Sequence, residues 1–470
     1  MTSTPEKPET PYRATTGAKE PPVPLRVLGV FDASMLVVGN VVGAGIFLVG
    51  ADVAKQTQSA FAFLSLWVVG GVFALSGALC NGELGTMYPR GGGEYVYLSR
   101  AYGPSVGFLS GWTSFWIGFP GSIATLATGF ARETASLTGG SRYVQEGIAI
   151  LAVVLLTGVN ALGIRHGKWV QNLLSVAKLI AFVAALAVGA LYAPAGDSAT
   201  LPLSGGEHAS SLALALIPIY FAYSGWNAVT YVAGEMRDPK RDLGRALALG
   251  TSACVILYLA VNASFLRTLG IGGMRLSPNV AGAASSQMFG PGAGKFITGL
   301  VIVAVLSSLQ ATVQVGPRIY QAMAEDGLFV ARVARLHPKS RVPVNALVVQ
   351  GIISCALIGL GGLLDQKRPI FDVLLNFTTF ALVLFSIVTV LAVFVLRYKN
   401  PDLPRPFRTP GYPLTPALYV VGNAWVLYNV LAFGATEAFV GLGIVLSGLP
   451  FYWYFKRAKE LGAKTVGAPG

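Results

Sequence analysis

Apolar runs of about twenty residues follow one another along this 470-residue chain, and they constrain its fold more than any motif does. A water-soluble core could not absorb them, because 53% of the chain is apolar, 12% is charged and the mean hydropathy is +0.61. In a bilayer each run must satisfy its own backbone, and a helix does so internally. The fold expected is therefore an all-α polytopic membrane protein. We place twelve spans at roughly 28–54, 60–87, 95–131, 144–163, 169–192, 211–235, 246–270, 295–323, 343–364, 369–396, 413–433 and 435–455. Residues 1–24, rich in Pro, Thr, Lys and Glu, have no apolar core of their own and are expected to form a disordered cytoplasmic tail. Residues 25–457 form the transmembrane domain, and residues 458–470 a second tail on the same side.

A net charge of +13 could suit nucleic acid, but its distribution does not. With the N-terminus inside, 25 Lys and Arg fall on the inner side and 8 on the outer, which sets both termini in the cytoplasm of a multi-pass protein of the cell (inner) membrane. Anionic lipid headgroups, not nucleic acid, are the partner of that excess. Cys80, Cys254 and Cys355 all fall inside spans, so free thiols are expected. His166, His208 and His337 stand far apart in loops, with no metal-ligand spacing, and no cofactor is implied.

The first run is interrupted by Val42-Gly43-Ala44-Gly45-Ile46. Glycine costs about 1 kcal/mol relative to alanine in a helix, so two glycines here invite a break. Non-helical backbone at that depth is tolerated only where protein buries it or it lines a cavity. A half-helix starting near Ile46 would aim its N–H groups and positive dipole end at an anion such as a carboxylate. The same glycines, with Gly39, also read as close helix packing.

Lys178 is the one charge at mid-span. It lies ten residues beyond Lys168, about 15 Å along a helix, which is half of the roughly 30 Å hydrocarbon core. An unpaired lysine there costs about 2.5–3.5 kcal/mol, so it should face the bundle interior, either to serve function or to tie helices together. Ser307 and Ser308 could supply hydroxyl partners, though adjacent serines are also ordinary packing residues.

A second interruption falls at Phe221-Ala222-Tyr223-Ser224-Gly225-Trp226-Asn227, after Pro218. Broken first and sixth spans point to a transporter site at the interface of two inverted repeats, residues 28–192 and 211–396, with residues 413–455 as two additional helices. Phe221, Tyr223 and Trp226 could wall that site, or pack helices.

Several strings now carry a resemblance. Val42-Gly43-Ala44-Gly45-Ile46-Phe47, Tyr88-Pro89-Arg90-Gly91-Gly92-Gly93-Glu94-Tyr95, Phe221 to Asn227, Gly234-Glu235-Met236-Arg237-Asp238-Pro239 and Arg405-Pro406-Phe407-Arg408-Thr409-Pro410-Gly411-Tyr412-Pro413 resemble the amino acid–polyamine–organocation transporter superfamily. Phe-Ala-Tyr-x-Gly-Trp-Asn is most similar to its L-type branch, including bacterial members. The resemblance implies a LeuT-type 5+5 inverted repeat with helices 1 and 6 broken, working by alternating access. It implies that Val42, Gly43, Ala44, Gly45 and Ile46 bind the substrate carboxylate, that carbonyls of Phe221, Ala222 and Ser224 take the α-ammonium, and that Phe221 is the gate. Lys178 matches a lysine of sodium-independent members that stands in the region of a sodium site. Its ammonium is then expected to join span 5 to the carbonyls near Gly39 or Val42 and to Ser307 or Ser308, as a coupling or structural cation.

Phe119, Ser122, Tyr223, Trp226 and Asn227 are expected to line the pocket. Around Val42, Ile46, Phe119, Ser122, Phe221 and Ser224 no acidic or basic side chain occurs, which favours neutral amino acid substrates. Gln310 stands where many members carry asparagine. No cysteine lies between Thr134 and Arg142, so the disulfide to a heavy subunit of animal relatives cannot form. Sodium-independent exchange leads, with a proton-coupled permease of the same fold and a non-transporting receptor or channel as alternatives. No enzyme constellation appears, and a continuous polar channel lining is missing.

Overall fold

The computed structural model describes residues 23–43, 45–192, 209–277, 279–290, 292–364, 370–433 and 435–466. Ala44 and the tail residues 1–22 and 467–470 lie outside the described residues. The chain begins its first run with α1 (Val30–Val41), stops, and resumes at a 43° bend as α2 (Gly45–Leu48) and α3 (Gly50–Lys55). Next, α4 (Ala60–Met87) crosses unbroken, its start fixed by the Ser59 side chain accepting the Ala62 N–H at 3.1 Å.

The third span, expected at 95–131, departs from one continuous helix. Gly103 adopts φ 101°, so α5 (Glu94–Tyr102) is a separate nine-residue helix ahead of the crossing segment. That segment comprises α6 (Pro104–Thr113), a π-helical turn Ser114–Gly118 and α7 (Phe119–Thr138). Pro120 has no N–H to offer the Trp116 carbonyl four residues back, which favours the wider turn at this point.

Two further spans are α8 (Arg142–Ala161) and α9 (Ile164–Tyr192). Over the run expected as the sixth span, α10 (Ala209–Tyr223) ends, Gly225 turns at φ 98°, and a short α11 (Ala228–Tyr231) and a 3-10 turn Ala233–Glu235 follow. Asp238 then caps α12 (Pro239–Leu276), which bends at Gly270. The rest is α13 (Val280–Phe289), α14 (Ala293–Val315), α15 (Pro317–Glu325), α16 (Ala331–Ala334), α17 (Val344–Leu364), α18 (Ile370–Lys399), α19 (Leu414–Phe433) and α20 (Ala435–Val466). Among the described residues eight single helical stretches are long and apolar enough to cross a membrane, and the bent first pair makes nine. No strand forms among them beyond one isolated bridge, Leu28 to Met236.

The first helix is the centre of the bundle. It lies against α9, α12 and α14, so its broken end is walled by protein and not by lipid. The end of the bundle where α1 starts, here the basic face, is stitched by ion pairs. Glu83, 0% exposed, receives Arg397 at 2.8 and 2.7 Å and the Thr409 N–H at 2.7 Å, with Arg405 at 3.4 Å. Glu235 and Arg318, both buried, meet at 2.8 Å, Arg90 holds Asp326 at 2.8 Å, and Lys168 holds Asp32 at 2.9 Å.

A buried ion pair is costly to break on one side only, because the surviving charge is left without a partner. Arg318→Ala, which leaves the buried Glu235 without its cation, should lower stability by about 3 kcal/mol, and adding Glu235→Gln should recover part of it. Thermal unfolding of the purified single and double variants in detergent checks this, and additive losses would contradict it.

Candidate functional site

A helix that ends at membrane depth leaves its last carbonyls unpaired and its negative dipole end in a medium of low dielectric. The end of α1 shows how this is met. An ammonium has three N–H donors. Lys178 on α9, 0% exposed, donates to the carbonyls of Val38 at 3.2 Å, Gly39 at 3.0 Å and Val42 at 2.7 Å. Ser308 on α14 donates to the Gly39 carbonyl at 2.8 Å. The Val41 carbonyl takes the Gly43 N–H at 2.8 Å, and Val42 at φ −77°, ψ 79° makes this an inverse γ-turn. No carboxylate among the described residues pairs with Lys178, so the helix end itself is its counter-charge.

The second break abuts the first. A Cβ on Gly45 would stand 2.8 Å from the Cα of Ala222, so the restart of the first run presses directly on the end of α10. Tyr258 on α12 joins the two ends: its hydroxyl lies 2.8 Å from the Val41 carbonyl and 3.0 Å from that of Ala222, and donates to one at a time. Asn40 does the same from α1, donating to the Gly225 carbonyl at 2.9 Å while its own oxygen accepts from Thr312 at 2.9 Å. Gly225 sits at φ 98°, where a side chain would be strained and would strike Asn40.

Several residues named from sequence are placed differently from one another. The hydrogen bonds of the Lys178 ammonium go to carbonyls and not to the expected serines: Ser308 meets the Gly39 carbonyl of α1, whereas Ser307 turns to Gln171 and Ser175 at 3.5 and 3.3 Å. Neither Gly43 nor Gly45 has positive φ; the close approaches to Ser308 and Ala222 are what exclude a side chain. The Gly43 N–H is occupied by the Val41 carbonyl at 2.8 Å. The Phe221 carbonyl already accepts the Ser224 N–H at 3.1 Å and hydroxyl at 2.8 Å. Phe221 itself is half-buried.

Phe119 packs edge-on against Tyr231 and Tyr320, at centroid distances of 5.1 and 6.5 Å, and Ser122 bonds back to the Gly118 carbonyl at 2.7 Å. Tyr223 and Trp226 line an apolar crevice between α4, α10 and α19, with Tyr223 donating to the Trp67 carbonyl at 3.2 Å and Trp226 edge-on to Tyr419. Asn227 turns towards the basic face and donates to Glu94 at 2.9 Å. Gln310 donates to the Gly167 carbonyl and exchanges hydrogen bonds with Asn160, away from the breaks.

Tyr258, Asn40 and Thr312 were not foreseen from sequence. Only the position of Asn40, three residues before Gly43 in the interrupted run, carries a signal, since a buried amide beside a break must find partners.

The ends of α1 and α10 thus lie side by side, their carbonyls held by a buried cation and by hydroxyls, an arrangement that suits a membrane carrier. The family model described as amino acid permease matches residues 28–453, and the chain belongs to this family. It is an amino acid transporter of the amino acid–polyamine–organocation superfamily, near the L-type branch, and not an enzyme. The serine/threonine exchanger SteT of Bacillus subtilis (strain 168) is 32% identical over 92% of this chain and 97% of its own length. The b(0,+)-type amino acid transporter 1 of Mus musculus is 28% identical over 94% and 90%, and the human large neutral amino acids transporter small subunit 2 is 28% identical over 91% and 79%.

Backbone cannot move aside as a side-chain tip can, so the two glycines of the break should respond differently. Gly45→Val is expected to abolish amino acid uptake with the protein still in the membrane, whereas Gly43→Ala, which meets the Ser308 hydroxyl, should keep a measurable part. Uptake by whole cells, normalised to immunoblotted membrane protein, checks this.

Proposed function

We propose that this protein exchanges neutral L-amino acids across the cytoplasmic membrane without sodium. The observation that carries the reading is the Lys178 ammonium on the carbonyls of Val38, Gly39 and Val42. A fixed positive charge there leaves no need for a sodium ion to hold the end of α1. The twelve spans form two inverted five-helix repeats, residues 28–192 and 211–396, with residues 413–455 as the added pair, and the repeats rock past the breaks in alternating access.

The substrate carboxylate meets the N–H groups of Gly45 and Ile46, within the segment Val42 to Ile46 that includes Ala44. The α-ammonium meets the carbonyls of Phe221, Ala222 and Ser224, displacing the Ser224 hydroxyl from Phe221. Phe221 closes over the substrate, while Phe119 and Ser122 bound the side chain. Neutral specificity follows from the lack of any charged side chain at these positions, and exchange is supported by the similarity to the serine/threonine exchanger of Bacillus subtilis.

Both termini and the basic face lie in the cytoplasm, as the excess of Lys and Arg there supports. The link between α7 and α8 has no cysteine, and the transporter works without a disulfide-linked heavy subunit.

Purified protein in proteoliposomes tests the proposal. Serine, alanine or leucine inside should accelerate uptake of labelled serine equally in sodium and in choline medium, and excess arginine should not compete. Uptake that requires sodium, or arginine carried as fast as serine, would overturn it.

A further inference from the structure

Every other buried or half-buried carboxylate described on the basic face has a cation: Asp32 has Lys168, Glu83 has Arg397, Glu235 has Arg318 and Asp326 has Arg90. Glu94 is the exception. It opens α5, ahead of the third crossing segment, and is 7% exposed. Its hydrogen-bond partners are neutral, the Asn227 amide at 2.9 Å and the Tyr231 phenol. The other titratable groups that feel it are phenols on three elements, Tyr97 on α5, Tyr220 on α10 and Tyr419 on α19. Among the described residues no lysine, arginine or histidine pairs with it.

The position of these partners matters more than their number. Asn227 lies in the turn that breaks the sixth span and Tyr231 ends α11, so the carboxyl group is clamped by the half-helix that opening of the basic face must move. Tyr231 is also pinned to the glycine loop before α5, its carbonyl accepting the Gly92 N–H at 3.0 Å, and it stacks edge-on with Phe119. Separating α11 from α5 therefore exposes Glu94 to water.

We propose that Glu94 is a proton-binding site, protonated while α11 is packed on α5 and deprotonated when the basic face opens, so that protons on that face hold the carrier shut. The proposal rests on the alternating-access reading above. Burial pushes the Glu94 carboxyl up to about 7 in the closed form, and the Asn227 and Tyr231 donors, which favour the charged form, offset only part of that. A carboxyl open to water titrates near its ordinary value of about 4.3. The raised group binds a proton preferentially in the closed form. Between about pH 7 and about pH 4.3 each unit of acidification favours closure up to tenfold, and above pH 7 the effect fades.

The test is serine exchange by the purified protein in proteoliposomes at equal pH on both sides, with infrared titration of the same samples. Wild-type exchange should fall on acidification with a midpoint near 7. Glu94→Gln, a permanently neutral copy, should exchange at the slow acid rate of the wild type across the whole range. Tyr231→Phe, lacking one donor to the charged form, should move the midpoint up. A protonated-carboxyl band titrating near 7 should be present in the wild type and absent in Glu94→Gln. A flat wild-type profile, an unchanged profile in Glu94→Gln, or no such band would overturn the proposal. No exchange at any pH would instead refute the transporter reading, and the infrared band would then decide Glu94 by itself.

Discussion

One lysine side chain makes the interrupted first helix possible. Ending α1 in mid-bundle strands carbonyls that in lipid would each cost several kcal/mol, and it places the negative end of a helix dipole where dielectric screening is weak. Lys178 answers both costs, giving each of its three N–H donors a carbonyl at 2.7 to 3.2 Å. The helix end in turn answers the cost of burying an ammonium with which no carboxylate among the described residues pairs. Neither partner is tolerable alone, which is why α9, α14 and α12 converge on that point through Lys178, Ser308 and Tyr258.

The second consequence is that the two breaks are not independent. Gly45 rests on the backbone of Ala222, Tyr258 is shared between Val41 and Ala222, and Asn40 bridges to Gly225. A ligand that engages one break alters hydrogen bonds at the other. On the basic face the same two runs are joined again, where the Val27 and Leu28 N–H groups both meet the Glu235 carbonyl and Arg318 holds the Glu235 side chain. Charged pairs of this kind add little net stability over apolar packing, but they fix one geometry and release it cleanly when water enters. That suits a face that must alternate between shut and open.

What could be read in the sequence follows from which forces are local. Burial of apolar runs in lipid is legible residue by residue, and the all-helical membrane class follows from it. Lys178 could be singled out because a charge at mid-span is rare and its depth can be counted from Lys168. The break at Gly103 escaped because a glycine before a proline in a mildly polar stretch looks like a span boundary as readily as a turn within one. Tyr258 escaped because it sits in the apolar run of α12 like any packing aromatic, and only the three-dimensional meeting of α1 and α10 gives its hydroxyl two acceptors. Ser307 and Ser308 are indistinguishable as a pair in sequence. Helix rotation alone decides that Ser308 faces Gly39 and Ser307 faces Gln171. Gly43 and Gly45 invite a reading in terms of backbone freedom, and the structure uses their lack of a side chain instead.

The central claim, that the ammonium of Lys178 holds the broken first helix in its working shape, is tested most directly by serine uptake into proteoliposomes containing equal amounts of folded wild type, Lys178→Ala and Lys178→Arg. A hydrogen bond to a charged group contributes about 1.5–3 kcal/mol, so loss of all three should reduce uptake by well over about tenfold in Lys178→Ala. Lys178→Arg should recover little, because a planar guanidinium cannot place three donors on carbonyls arranged around a compact ammonium. Uptake by Lys178→Ala at the wild-type rate would contradict the account.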